Sequence, residues 1–274
     1  MQFHTLPSGQ SMPMLGLGTF ELREQSGADS VVAAIGLGYT HIDTASGYGN
    51  EEIVGLGIRQ SGCSREDLFV TTKVGRDDLA AGPARACAEA SLERMQLDYV
   101  DLLLIHWPNL DVPLAETLAV FAELVNEGKV RNIGISNFTR PRVDKAVESS
   151  SIPIAVNQVE YHPHLDQEAL RRHCEGHGIL LTAYSPLAQG TIVQDDTLIA
   201  IGVDCDKGPA QVALRWLLHK QIAAIPKASS AGHMADNIDL FDWTLSDGQI
   251  ARIDAIETVH RVIDWWPGDF DKDA

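Results

Sequence analysis

Short apolar runs of strand length alternate with longer stretches of helical period eight times between residues 15 and 238, and no other property restricts the chain as strongly. The strand candidates are Leu15–Thr19, Thr40–Asp43, Leu68–Lys73, Val100–His106, Val130–Ser136, Ile154–Gln158, Ile179–Tyr184 and Ala223–Pro226. Helix candidates lie near 26–37, 50–60, 82–96, 114–127, 140–148, 166–177, 209–219 and 231–238. Strands joined through helices pair in parallel, and no linker rich in Pro, Gly or Ser divides the eight units. The pattern therefore predicts an α/β protein with a single (β/α)8 barrel domain spanning 1–274, rather than a doubly wound sheet with an added domain. A hairpin is expected around Pro7-Ser8-Gly9, with extra helical material at 195–206 and 245–256. The tail HRVIDWWPGDFDKDA has no period and is not needed for closure, so it is expected to fold over the active-site mouth.

Composition narrows the function classes. A formal net charge of -17, with no Lys/Arg cluster to relieve it, repels nucleic acid and anionic membranes. The N-terminus lacks a basic start followed by an apolar stretch, and no apolar run approaches the roughly 20 residues of a membrane span. Cys63, Cys87, Cys174 and Cys205 show no CxxC pairing, as expected of reduced thiols in a cytoplasmic protein.

Polar residues fall where the strands end. Asp43, Lys73, His106, Ser136-Asn137, Gln158, Tyr184 and Lys227 close strands two to eight in turn, and Tyr48 follows Asp43 in THIDTASGYGNEE. In a parallel barrel those ends form one face, the face that carries active sites. Ser136 or Asn137 alone would read as a helix cap, and an Asp–Lys pair alone as a structural ion pair. The addition of a phenol and an imidazole makes a proton-delivery device, because a buried cation beside a phenol stabilises phenolate and lowers its pKa.

The ordered segments LGLGTF, HIDTASGYGNE, the strand ending in Lys73, DYVDLLLIHWP, IGISNF, NQVEYHP, AYSPL and IPKAS resemble the aldo-keto reductase family across nearly the whole chain. The short length and compact tail are most similar to the family's bacterial 2,5-diketogluconate and methylglyoxal reductases. That resemblance implies a catalytic tetrad of Asp43, Tyr48, Lys73 and His106. Tyr48 would protonate a carbonyl oxygen while a nicotinamide gives hydride, Lys73 would lower the phenol's pKa, Asp43 would hold Lys73 charged, and His106 would orient the carbonyl. The implied partner is a small-molecule carbonyl substrate: an aldehyde, a ketoaldehyde or a diketo sugar acid. A monomer is expected.

Neither Gly16-Leu17-Gly18 nor Gly55-Leu56-Gly57 completes a dinucleotide fingerprint. The resemblance implies another mode of cofactor binding. Tyr184 would stack on the nicotinamide, Ser136, Asn137 and Gln158 would bond its carboxamide, and Thr19 and Asp43 would also touch the cofactor. Ser185 and Leu187 would line the pyrophosphate path, and Lys227, Ser229, His233 and Asn237 would meet the adenosine end. His233 stands where the family usually carries a 2'-phosphate arginine, and Ala228 replaces a serine. NADPH is therefore expected as cofactor with NADH also accepted, because histidine lacks arginine's permanent charge and bidentate grip. The substrate wall is expected to include Phe20, Tyr48, His106, Trp107 and Trp266, with Gly75 where relatives with narrow pockets carry a ring.

Other signals point away from metal and nucleophile chemistry. His173 and His177 have zinc-pair spacing, but no third ligand stands near them in sequence, so they read as a solvated helix face. Gly134-Ile135-Ser136-Asn137-Phe138 ends in Phe and is not a nucleophile elbow. A nucleotide-sensing, non-catalytic barrel is the alternative class. It would keep Tyr184 and Lys227 but would not require the four proton-delivery residues.

Overall fold

The computed structural model describes residues 1–263. A hairpin of β1 (Phe3–Thr5) and β2 (Ser11–Pro13) leads into eight parallel strands: β3 (Leu17–Gly18), β4 (His41–Asp43), β5 (Phe69–Val74), β6 (Val100–Ile105), β7 (Val130–Ser136), β8 (Ile154–Glu160), β9 (Leu180–Tyr184) and β10 (Ala223–Ala224). These pair in chain order from β3 to β10. Closure comes from Ala224 N–H donating to Met14 O at 2.8 Å and Gly16 N–H donating to Ala224 O at 2.9 Å. Helices α1 (Glu24–Gly36), α2 (Glu51–Gln60), α3 (Ala81–Met95), α4 (Leu114–Asn126), α5 (Arg140–Ser149) and α6 (Glu168–Gly176) follow successive strands. An inserted helix α7 (Asp196–Cys205) precedes α8 (Pro209–His219); α9 (Ala231–Ile238) and α10 (Asp247–Asp254) come last. The (β/α)8 barrel, the hairpin and both extra helices thus occupy the expected segments.

Every residue of β5, β6 and β8 is buried, as continuous apolar strands must be when helices cover their outer face and side chains fill the barrel. Inside, polarity rises toward the C-terminal ends of the strands. The Phe69 ring lies 5.1 Å from the His41 ring, His41 Nε2 lies 3.1 Å from Thr71 Oγ1, and the next inward pair is Asp43 and Lys73. Burial pushes His41 down to about 4, so it stays neutral in the core.

Both Gly-x-Gly runs serve packing. A Cβ on Gly16 would stand 2.7 Å from the His41 ring, and one on Gly55 would stand 2.2 Å from Met95 O, which lets α2 approach α3. At the opposite end the hairpin seals the barrel floor, where Gln10 Nε2 donates to Asp101 Oδ1 at 2.6 Å and Asn132 Nδ2 donates to Gln10 Oε1 at 2.7 Å. The open end is therefore the C-terminal one. After α10 the chain returns to that end, and the N–H groups of Val262 and Ile263 donate to the Glu160 carboxylate at 2.6 and 2.9 Å. Trp265 and Trp266 lie outside the described residues.

Candidate active site

Strand β4 ends at Asp43 and β5 carries Lys73 two residues beyond the ladder partner of Asp43, so the two side chains meet inside the mouth. Lys73 Nζ donates to Asp43 Oδ1 at 2.5 Å, to Thr44 O at 2.8 Å and to Tyr48 Oη at 3.3 Å. All three of its hydrogens are used, and the ammonium is fully buried. Gln158 Nε2 reaches across from β8 to donate to Asp43 Oδ2 at 2.7 Å. The carboxylate is thereby fixed at both oxygens.

Tyr48 sits on a short 3-10 turn, Ser46–Tyr48, after β4. Buried Asn50 ties that loop down: Thr44 Oγ1 donates to its Oδ1 at 3.1 Å, and its Nδ2 donates to Thr19 O at 2.7 Å and Leu22 O at 3.1 Å. Ser46 Oγ donates to Lys73 O at 2.9 Å, and Arg23 donates to Tyr48 O. Sequence reasoning missed Asn50 and Arg23. Asn50 could have been noticed as the polar residue closing SGYGN before an amphipathic helix; Arg23 gave no signal. His106 follows β6, its ring edge-on to Tyr48 with centroids 5.6 Å apart.

The electrostatics correct one expectation. Burial drives the Tyr48 hydroxyl upward. The Lys73 ammonium pulls it down and Asp43 pushes it up, leaving the phenol above its ordinary value of 10.0. Lys73 thus acts in the expected direction, but burial outweighs it because the phenol loses more solvation than one partly neutralised cation restores. Burial also works against the Lys73 charge, yet Asp43 and Tyr48 outweigh it and hold the ammonium above 10.5. Burial, and then Lys73, push His106 down to about 3, so its imidazole is neutral.

The other predicted residues lie at strand ends or in the segments that follow them. Thr19 donates N–H and Oγ1–H to Asp43 O at 3.1 and 2.9 Å. Asn137, in the left-handed region at φ 66, a conformation its short amide side chain tolerates, donates through Nδ2 to His106 O at 3.0 Å and to Ser136 Oγ at 3.1 Å. Ser136 Oγ in turn donates to Gln158 O at 2.8 Å, and Tyr184 Oη donates to Asn137 Oδ1 at 2.9 Å, fixing a half-buried ring at the end of β9. Ser185, at φ 45, and half-buried Leu187 begin the loop that follows. Lys227 bridges to Gly18 beside Thr19, and Lys227, Ser229 and His233 are exposed, whereas Asn237 is buried. Ser230 caps α9 by accepting from His233 N–H at 3.2 Å.

Of the residues expected to wall the substrate, Phe20 is half-exposed, its ring 5.1 Å from that of Tyr48. Trp107 is buried beside His106. At Gly75 an added Cβ would meet Asp78 Oδ2 at 3.4 Å and Ser46 Oγ at 4.0 Å, ordinary contact distances, so packing does not demand glycine there. Trp266 lies outside the described residues.

The sequence profile of the Aldo/keto reductase family matches residues 14–258. Glyoxal reductase from Bacillus subtilis (strain 168) is 44% identical over 258 residues, covering 94% of this chain and 93% of that protein. An aldo-keto reductase enzyme from a Medee basin deep-sea metagenome library superposes with a TM-score of 0.92 at 36% identity, covering 98% of each chain. The Bombyx mori aldo-keto reductase in complex with NADP superposes with a TM-score of 0.90 at 34% identity, covering 96% of this chain and 95% of that one. In sequence and in fold alike, the chain belongs to the aldo/keto reductase family.

Proposed function

We propose that this protein reduces small aldehydes, ketoaldehydes or diketo sugar acids with a nicotinamide cofactor, Tyr48 acting as general acid. The observation that carries this reading is a buried ammonium held 2.5 Å from Asp43 and 3.3 Å from the Tyr48 hydroxyl at the open mouth of the barrel. A phenol above its ordinary pKa is fully protonated at neutral pH and ready to donate. Once the proton leaves Oη, Lys73 stands beside the new phenolate, and Asp43 keeps Lys73 charged and aimed. The neutral His106 ring hydrogen-bonds the carbonyl oxygen and sets its angle to Tyr48. General acid assistance of this kind is worth about 10²–10⁴-fold.

The donor set at the rim fits a nicotinamide dinucleotide. Tyr184 offers an anchored ring, and Ser136, Asn137 and Gln158 offer hydrogen-bonding groups beside it. Thr19, Asp43, Ser185 and Leu187 would complete the contacts along the rim. Lys227, Ser229, His233 and the first N–H groups of α9 would take the phosphates, with Asn237 at the adenosine end. When bound, the nicotinamide supplies hydride to the carbonyl carbon. The exposed His233 supports NADPH use with NADH also accepted.

The relative named glyoxal reductase supports a small, doubly oxidised substrate, and glycine at position 75, which projects no side chain, supports room beyond a single carbonyl. Phe20 and Trp107 would wall it. Four unpaired cysteines support a reducing, cytoplasmic setting. The chain is read as one barrel domain acting as a monomer.

The test is oxidation of NADPH and of NADH against glyoxal, methylglyoxal, simple aldehydes and diketo sugar acids. Turnover with a ketoaldehyde or diketo acid is expected. Tight cofactor binding without turnover on any carbonyl would reject the reductase reading in favour of a nucleotide sensor.

A further inference from the structure

We propose that Asp144, His173 and His177 form a surface site for a divalent transition-metal ion of the zinc class, linking α5 to α6 on the outer ring of helices. His173 lies in the last turns of α6 and His177 just beyond its end, so their i,i+4 spacing turns both rings to one side of the helix. The third ligand comes from α5. His173 Nε2 lies 2.8 Å and His177 Nε2 2.9 Å from the same oxygen, Oδ1 of Asp144, and the three candidate ligand atoms fall within 4.8 Å of one another. In sequence alone the histidine pair has no third ligand near it. Asp144 stands 29 residues before His173, and only the packing of α5 against α6 brings it in.

Convergence on a single oxygen is the informative point. Two imidazoles aimed at one point beside a carboxylate make a three-ligand set whose fourth position opens to solvent, since His177 is exposed and the other two are half-buried. With metal–ligand bonds of about 2.0–2.2 Å in tetrahedral geometry, neighbouring ligand atoms stand roughly 3.3 Å apart. The present 2.8 and 2.9 Å contacts need only a small opening, which rotation of these partly exposed side chains supplies. On binding, the ion takes the place of the Nε2–Oδ1 hydrogen bonds, each neutral ring giving up its Nε2 proton to solvent and taking one from solvent at Nδ1. Two nitrogen ligands and one carboxylate favour zinc, nickel or copper over magnesium or calcium, which prefer all-oxygen shells. Nothing in this arrangement touches the tetrad, so the ion would tie two helices together without entering the reaction.

The test titrates zinc into the full chain against a chromophoric zinc indicator, comparing the parent with a His173→Gln/His177→Gln variant and with Asp144→Asn. Reductase turnover measured alongside reports that each variant is folded. The parent is expected to bind one more zinc ion than the double variant, at micromolar concentration, and to melt at higher temperature when zinc but not magnesium is added. Asp144→Asn should weaken that zinc about tenfold or more. Equal stoichiometry and affinity in parent and double variant would place any bound zinc elsewhere and overturn the site. So would an unchanged affinity in Asp144→Asn, or no binding by the parent below about 100 μM.

Discussion

Replacing Lys73 by Met removes the ammonium that is hydrogen-bonded to both Asp43 and Tyr48 and tests two consequences at once. Lys73 Nζ makes three hydrogen bonds with no solvent exposure, and its loss leaves Asp43 buried with, among the described residues, the Gln158 amide donating to Oδ2. Breaking a buried pair from one side costs about 3–5 kcal/mol, because the surviving charge is stranded. At roughly 2–4 °C per kcal/mol for a chain near this size, the melting temperature should fall by about 6–20 °C. Activity should fall further, since the only strong downward influence on the Tyr48 phenol is gone; a loss of about 10²–10⁴-fold corresponds to roughly 3–5 kcal/mol of transition-state stabilisation. The double variant Asp43→Asn/Lys73→Met removes the stranded charge, so scanning calorimetry should show much of the melting temperature restored while turnover stays lost. Alkali separates the same forms. Because the folded pKa of Lys73 lies above 10.5, the contribution of its charge is fully present below that value and fades as pH rises through the folded pKa, so the parent should lose more stability in strong alkali than the double variant. The reasoning is refuted if Lys73→Met keeps turnover within tenfold of the parent, or if the double variant melts no higher than the single one.

His233→Arg should raise the kcat/KM ratio for NADPH over NADH by about tenfold or more, as a permanent charge reaches the 2'-phosphate; an unchanged ratio in initial-rate assays removes His233 from the cofactor site. Glu160→Gln should loosen the clamp on residues 262 and 263. Burial works against the Glu160 charge, but His162 and the two backbone N–H groups hold its pKa below 4.5, so its stabilisation is present above 4.5 and lost as pH falls through the folded value. The variant should therefore melt below the parent at pH 7 and match it well below pH 4.5, and a gap that persists in acid contradicts the assignment.

The strand-end residues were legible because a parallel barrel turns chain order into position. Asp43, Lys73, His106 and Tyr184 each follow an apolar run, and alternation along the strand decides which side faces inward. Residues that act across elements were not legible. Gln158 read as a cofactor contact, yet its amide also braces Asp43 from the far side of the barrel. Asp144 had no local signal, since its partners come from the next helix. The sign of the Tyr48 shift depends on how much water the folded loop excludes, and sequence shows the neighbouring charge but not that exclusion. The glycines of α2 answer to Met95 and Val31 on adjacent helices, contacts that exist only once those helices pack.

The central claim is that the Tyr48 hydroxyl delivers the proton. It is tested most directly by measuring NADPH oxidation with methylglyoxal for the parent and Tyr48→Phe, alongside cofactor binding by protein fluorescence quenching. The variant removes one oxygen, the atom that lies 3.3 Å from Lys73 Nζ, and leaves the rim residues proposed to hold the cofactor in place. The predicted result is unchanged cofactor affinity with turnover down by about a hundredfold or more. Turnover within a few fold of the parent, with the cofactor still bound, would contradict Tyr48 as the acid.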